Sequence, residues 1–252
     1  IYLENKDIYL ENIINNTNKN VDKLEYAISK DLNTNKIFLE ELSPYWNKLL
    51  NKNFKIFKAF TDSHSLFNSV VKGYNKFLED KNLDEVISIT TLKTYLLDFF
   101  EKQTLNSIKK FYLTYIKENK LDKDEYSINA KNVKIFILEF YKLICKDIYR
   151  ELIDFSSLIN MINNELYEGC LLDLYFLSNI LNISVIILHS RFTETNPDKF
   201  TLIKSKTSSA YMILCSENIK ELKIYNIIQS EGKYIFNKDD FPKTFRDALK
   251  LK

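Results

Sequence analysis

Residues 61–70 read Thr61-Asp62-Ser63-His64-Ser65-Leu66-Phe67-Asn68-Ser69-Val70, and the fold turns on where this stretch sits. Before it, Asn53 to Phe60 is an apolar-alternating run that predicts a strand. After it, Leu66, Phe67, Val70, Val71, Tyr74, Phe77 and Leu78 recur at helical spacing and predict a helix over 65–79. Asp62 to Ser65 is then a short polar loop between a strand end and a helix N-terminus. At such a junction backbone N–H groups and the helix dipole favour developing negative charge.

Downstream, Leu83 to Asp154 is nearly free of Gly and Pro. It predicts helices over 90–103, 105–119 and 131–150, with a polar turn at 121–124 and helix again from Ile148 to Leu158. The aromatic face Phe99, Phe100, Phe111, Tyr112 and Tyr115 reads as helix packing rather than a nucleobase platform, because no Arg accompanies it. Gly169 opens a further helix, Asn182 ends it, and Ile183 to Leu188 is a β-branched run expected as a buried strand. After Pro197 short apolar runs at 200–203, 211–215, 222–228 and 233–236 predict strands. Ser230-Glu231-Gly232 reads as a hairpin turn, and Asp239 to Pro242 starts a last short helix.

Upstream, Ser43-Pro44 opens a helix with Tyr45, Trp46, Leu49 and Leu50 on its apolar face. A short helix is expected around Ile37 to Leu42, and another through Val21 to Ser29. Ile1 to Asn5 recurs as Ile8 to Asn12, placing Ile1 with Ile8 and Leu3 with Leu10 on one stripe. Residues 1–42 are therefore expected to form a helical arm, docked on its own domain or offered to a partner, and 43–252 the main domain. The chain opens on Ile1 rather than Met, so it is read as a piece of a longer protein, with a removed targeting segment left open.

Composition excludes several classes. The 252 residues are 45% hydrophobic, ample for one core. The 36 basic and 34 acidic residues leave a net charge of +2, which argues against nucleic acid as a partner. Three cysteines (Cys145, Cys170 and Cys215) without paired spacing point to an intracellular, reducing compartment. Two histidines and no Cys-x-x-Cys make a metal site unexpected, and no cofactor motif is present. No apolar run approaches ~20 residues, so no membrane span is expected. Arg is scarce (Arg150, Arg191, Arg246) while Asn and Ile abound, which we associate with an AT-rich genome such as a parasite, endosymbiont or large virus.

The stretch at 61–70 resembles the nucleophile motif of the ovarian-tumour (OTU) family of deubiquitinating cysteine proteases, Asp-Gly-x-Cys-Leu-Phe. Asp62, Leu66 and Phe67 match it; Ser63 stands in place of Gly and Ser65 in place of the catalytic Cys. Tyr167-Glu168-Gly169, then Leu174, Leu177, Ser178 and Leu181, then Ile183 and Val185, resemble the family's second signature. The resemblance runs in order over residues 40–245. It implies an α/β (α+β) papain-type fold, with a central mixed sheet flanked by helices, and ubiquitin or a ubiquitin-like protein as partner.

The resemblance also places the family's His-aromatic-(Asp/Asn/Glu) triplet on Ile224-Tyr225-Asn226. Tyr225 and Asn226 fit, but Ile224 cannot act as a base. His64, adjacent to Ser65, should point away from it, and His189 lies at the end of an earlier strand. A serine hydroxyl without a base is a poor nucleophile. Asp62, Ser65 and Asn226 are thus the remnants of a catalytic constellation, with Ser65 readable as an N-cap or loop hydroxyl and Asp62 as the holder of its turn. Cys170 follows Gly169 at a helix start but reads as a small packing residue, Cys145 and Cys215 read as core, and Glu217 to Glu221 reads as a solvated loop. Three functions are compatible: a pseudoenzyme that recognises ubiquitin, a ubiquitin-like modifier or another protein; an active deubiquitinase held in an engineered Cys→Ser form; or a structural subunit docking through its N-terminal helices.

Overall fold

The computed structural model describes residues 39–58, 64–122, 124, 126–145, 152–190, 199–205, 207–219 and 222–251. The expected N-terminal arm before residue 39, with its helix at 21–29, lies outside them, as does Asp62. The described chain is a mixed α/β structure: one central mixed sheet with helices on both faces.

The strands are β1 (Leu39–Glu41), β2 (Phe54–Phe57), β3 (Ser184–His189), β4 (Phe200–Ile203), β5 (Ala210–Ile219), β6 (Leu222–Ser230) and β7 (Ile235–Asn237). They lie in the order β1-β2-β6-β5-β3-β4, with β7 on the first residues of β5. Among the described residues only the β3–β5 pairing is parallel; the others are antiparallel. The helices are α1 (Pro44–Leu50), α2 (Ser65–Asp80), α3 (Ile89–Glu101), α4 (Leu105–Glu118), α5 (Val133–Ile144), α6 (Phe155–Asn163), α7 (Leu171–Ile180) and α8 (Lys243–Leu249).

Strand alternation divides the core in two. One face of β3, β5 and β6 presents Val185, Ile187, Met212, Leu214, Tyr225 and Ile227 to the layer holding α2 to α7. The other presents Ile186, Leu188, Ile213, Cys215 and Ile228 to Trp46 and Leu50 of α1 and Phe245 and Leu249 of α8. Helix α7 runs through the larger core, with Leu172, Leu174, Tyr175, Phe176 and Leu177 all buried. That all-round apolarity is what a helix covered on every side requires. Gly73 lets α2 approach the sheet: a Cβ there would lie 2.5 Å from Ile227 Cδ1 and 2.8 Å from Met212 Cε.

Three expectations need correction. The helix around 37–42 is, from Leu39 to Glu41, the edge strand β1. Its register sets Glu41 opposite Lys55, with an ion pair of 2.9 Å, and Glu40 reaches Lys58 at 2.7 Å. Cross-strand charge pairing accounts for an exposed strand where local sequence suits a helix. The helix expected through 148–158 does not run continuously, because 152–154 are not helical and α6 begins only at Phe155. Asp154 starts it, its carboxylate accepting the Ser157 N–H at 2.8 Å while Ser157 Oγ accepts the Asp154 N–H. Glu217 to Ile219 is not loop but the end of β5, where Glu217 pairs with Lys58 at 3.2 Å. Among the described residues, no helix is long and apolar enough to cross a membrane, and no group of three His, Cys, Asp or Glu side chains is placed to share a metal ion.

Candidate functional site

The N-terminus of α2 meets the middle of β6. Strand β2 pairs with β6 from Ser230 to Ile227 and ends there, so the backbone of Tyr225, two residues on, faces past the end of β2. A buried peptide N–H and C=O must still find partners. Two hydroxyls one helical turn apart supply them. Ser65 Oγ accepts the Tyr225 N–H at 3.0 Å, and Ser69 Oγ donates to the Tyr225 carbonyl at 2.8 Å. Both serines are fully buried. Ser65 is not the N-cap of α2; His64 holds that position and makes no side-chain cap. The hydroxyl serves the sheet rather than its own helix.

The structure therefore brings Ser65 against residues 224–226, but their side chains diverge. Tyr225 lies in the core on the α2 side. Alternation turns Ile224 and Asn226 to the opposite face, where Asn226 pairs across the strands with Cys215. Asn226 is buried, and its Oδ1 has no hydrogen-bond partner among the described residues. The side chain of β6 that shares the face of Ser65 is Tyr225, whose phenol burial pushes to higher pKa.

Neither imidazole serves Ser65. His64 Nε2 donates to the Glu165 carbonyl at 2.6 Å. His189 sits at the end of β3, its Nδ1 2.8 Å from Ser216 Oγ and its Nε2 3.1 Å from Thr201 Oγ1. Ser216 stands opposite Tyr225 on the neighbouring strand, so the ring is held on β5 by Ser216 and on β4 by Thr201, and no hydrogen bond joins it to Ser65. A buried hydroxyl that accepts a peptide N–H and lacks a base within reach cannot be made a nucleophile by general-base catalysis.

The segment 164–170 flanks this junction and carries groups that sequence reasoning missed. Gly169 has φ +79°, and a Cβ there would come 2.6 Å from Phe67 Cε2, so the segment lies directly on α2. Tyr167 packs against Phe67 with ring centroids 6.0 Å apart. Behind it Asp173, fully buried, accepts from Tyr141 Oη, Tyr167 Oη and the Cys170 N–H, each at 2.6 Å. Burial outweighs these bonds and raises the carboxyl's pKa. Lys93, 7% exposed, donates to the Asn164 carbonyl at 2.7 Å. Burial lowers its pKa, with Asp173 and Glu165 acting in the opposite sense. A depression of about 550 Å³ opens beside them, lined by Met161, Asn164, Leu166, Tyr167 and Gly169. The available signal for Asp173 was its isolation among apolar residues of α7, three positions after the N-cap Cys170, a capping-box spacing.

No family model matches this chain, and no curated protein matches it in sequence. Among solved structures it is similar to one described as "Structure of Ovarian Tumor (OTU) domain in complex with Ubiquitin", with a TM-score of 0.43 and 12% sequence identity. The alignment covers 78% of this chain and 81% of that one. That likeness is loose.

Proposed function

We propose that this chain is a catalytically silent OTU-like domain that works by binding a protein partner, ubiquitin or a ubiquitin-like modifier before others. The observation that carries the silent half is the Ser65 hydroxyl committed to the Tyr225 N–H at 3.0 Å, with both imidazoles bound elsewhere. The partner half is supported by the order of the two sequence resemblances, at 62–67 and 167–185, on either side of one junction. An active protease stilled by a single Cys→Ser exchange is a poorer account. It would leave a histidine facing Ser65, and the face of β6 toward Ser65 carries Tyr225 instead.

Titration of isotopically labelled ubiquitin with this chain, read by chemical-shift mapping, tests the partner. Saturable shifts confined to one surface patch are expected. Unchanged spectra at the highest soluble concentration would remove ubiquitin as the partner.

A further inference from the structure

We propose that Cys145 and Cys170 form a modification site of their own, a dithiol that a peroxide oxidises reversibly to an intramolecular disulfide. The two thiols come from different helix ends: Cys145 is the residue that closes α5, and Cys170 the one that opens α7. They are separated by 24 intervening residues in sequence, yet the Cys145 thiol donates to Cys170 Sγ at 3.1 Å. A disulfide bond is about 2.0 Å long, so roughly 1 Å of approach closes it. Both residues are unbridged and half-buried, whereas the third cysteine, Cys215, is buried on the far face of the sheet.

The surroundings supply a proton acceptor. Asp173 accepts the Cys170 N–H at 2.6 Å, which sets its carboxylate beside that residue's thiol. In the first step the sulfur of Cys145, the thiol without that carboxylate, attacks one peroxide oxygen. The O–O bond breaks, the thiol proton leaves with the departing hydroxide as water, and Cys145 becomes a sulfenic acid. In the second, Cys170 attacks the Cys145 sulfur while its proton passes to Asp173. The S–O bond breaks, and the departing hydroxide takes that proton as a second water. Two thiols lose two electrons, and one peroxide is reduced to two waters. Burial raises the Cys170 thiol pKa, so Cys170 does not open the reaction and its attack in the second step needs the proton acceptor beside it.

The bond would tie the end of α5 to the segment that carries Tyr167 and Gly169 onto Phe67 of α2. The proposal does not depend on the partner or on the catalytic state. The test uses the folded wild-type chain, treated with a slight excess of hydrogen peroxide, quenched with an alkylating agent and analysed by intact mass and peptide mapping. Alkylatable thiols are expected to fall from three to one, with a Cys145–Cys170 cross-linked peptide, Cys215 still alkylated, and full recovery after dithiothreitol. Cys145→Ser and Cys170→Ser should each abolish the cross-link. Three thiols still alkylatable, a bond involving Cys215, or the same cross-link yield when the chain is oxidised in denaturant would each overturn the proposal.

Discussion

Replacing Ser65 by Ala separates a structural hydroxyl from a functional one. The exchange deletes the acceptor of the Tyr225 N–H, a bond of 3.0 Å in which Ser65 is fully buried. A buried donor left without a partner costs about 1–3 kcal/mol, and we expect ~2 kcal/mol, since β2 ends before it can reach Tyr225. In urea, with a slope near ~3 kcal/mol/M for a chain of this size, the midpoint should fall by about 0.5–1 M. Ser69→Ala removes the donor to the Tyr225 carbonyl and should cost less, about 1 kcal/mol, because a carbonyl tolerates lost partners better than an N–H does. The two losses fall on one residue, so the double variant should depart from additivity by at least ~0.5 kcal/mol. Ser65→Cys, offering a weaker acceptor, should also destabilise. If Ser65→Ala stays within ~0.5 kcal/mol of wild type, the size of an ordinary surface exchange, the hydroxyl does not hold the sheet and the structural reading of Ser65 fails.

Tyr141→Phe and Tyr167→Phe each remove one donor from the buried Asp173; each should cost about 1.5–3 kcal/mol, as bonds to a charged acceptor do. Equilibrium unfolding should show the pair coupled, and two small additive losses would contradict the network. Gly169→Ala combines φ +79° with a contact of 2.6 Å to Phe67, so a loss of about 2–4 kcal/mol is expected by thermal unfolding; a neutral result would mean that the segment does not bear on α2 as described. Alkaline pH should destabilise the fold. Burial raises the phenol pKa of Tyr74, Tyr112, Tyr115, Tyr141, Tyr175 and Tyr225. The native state therefore holds protons that unfolded tyrosines release near their ordinary value of 10.0, and stability is full below that pH and lost above it. Lys93 and Lys223, whose pKa values burial lowers, oppose this but are outnumbered by the tyrosines. A urea midpoint rising from pH 9 to 11 would reverse the sign and refute the argument.

Much of this architecture was legible in sequence because apolar periodicity carried it. The heptad-like spacing from Leu66 to Leu78 marks α2 to within a residue, and the β-branched run at 183–188 marks the buried strand β3. Leu39 to Glu41 was misread because its strand state depends on Lys55 and Lys58, partners no local window contains. The break between α5 and α6 was missed because the apolar spacing runs on past a cap, Asp154, that works through hydrogen bonds rather than hydrophobicity. At the candidate site the motif order correctly brought Ser65 near residues 224–226. It could not reveal that Tyr225, rather than Ile224 or Asn226, faces α2, because one residue of strand register reverses every side chain. The contact between Cys145 and Cys170 was likewise invisible, since it joins two helix ends through tertiary packing alone.

The proposed catalytically silent, OTU-like reading meets its most direct test in hydrolysis of a fluorogenic ubiquitin substrate by the folded, reduced wild-type chain. The account predicts a rate indistinguishable from the buffer blank. It also predicts that Ser65→Cys remains at that blank, because both imidazoles are hydrogen-bonded elsewhere, His64 to the Glu165 carbonyl and His189 to Ser216 and Thr201, and neither is bonded to residue 65 to generate a thiolate or protonate a leaving amine. Turnover by the wild type that is lost in Ser65→Ala, with that variant shown to be folded, would contradict it.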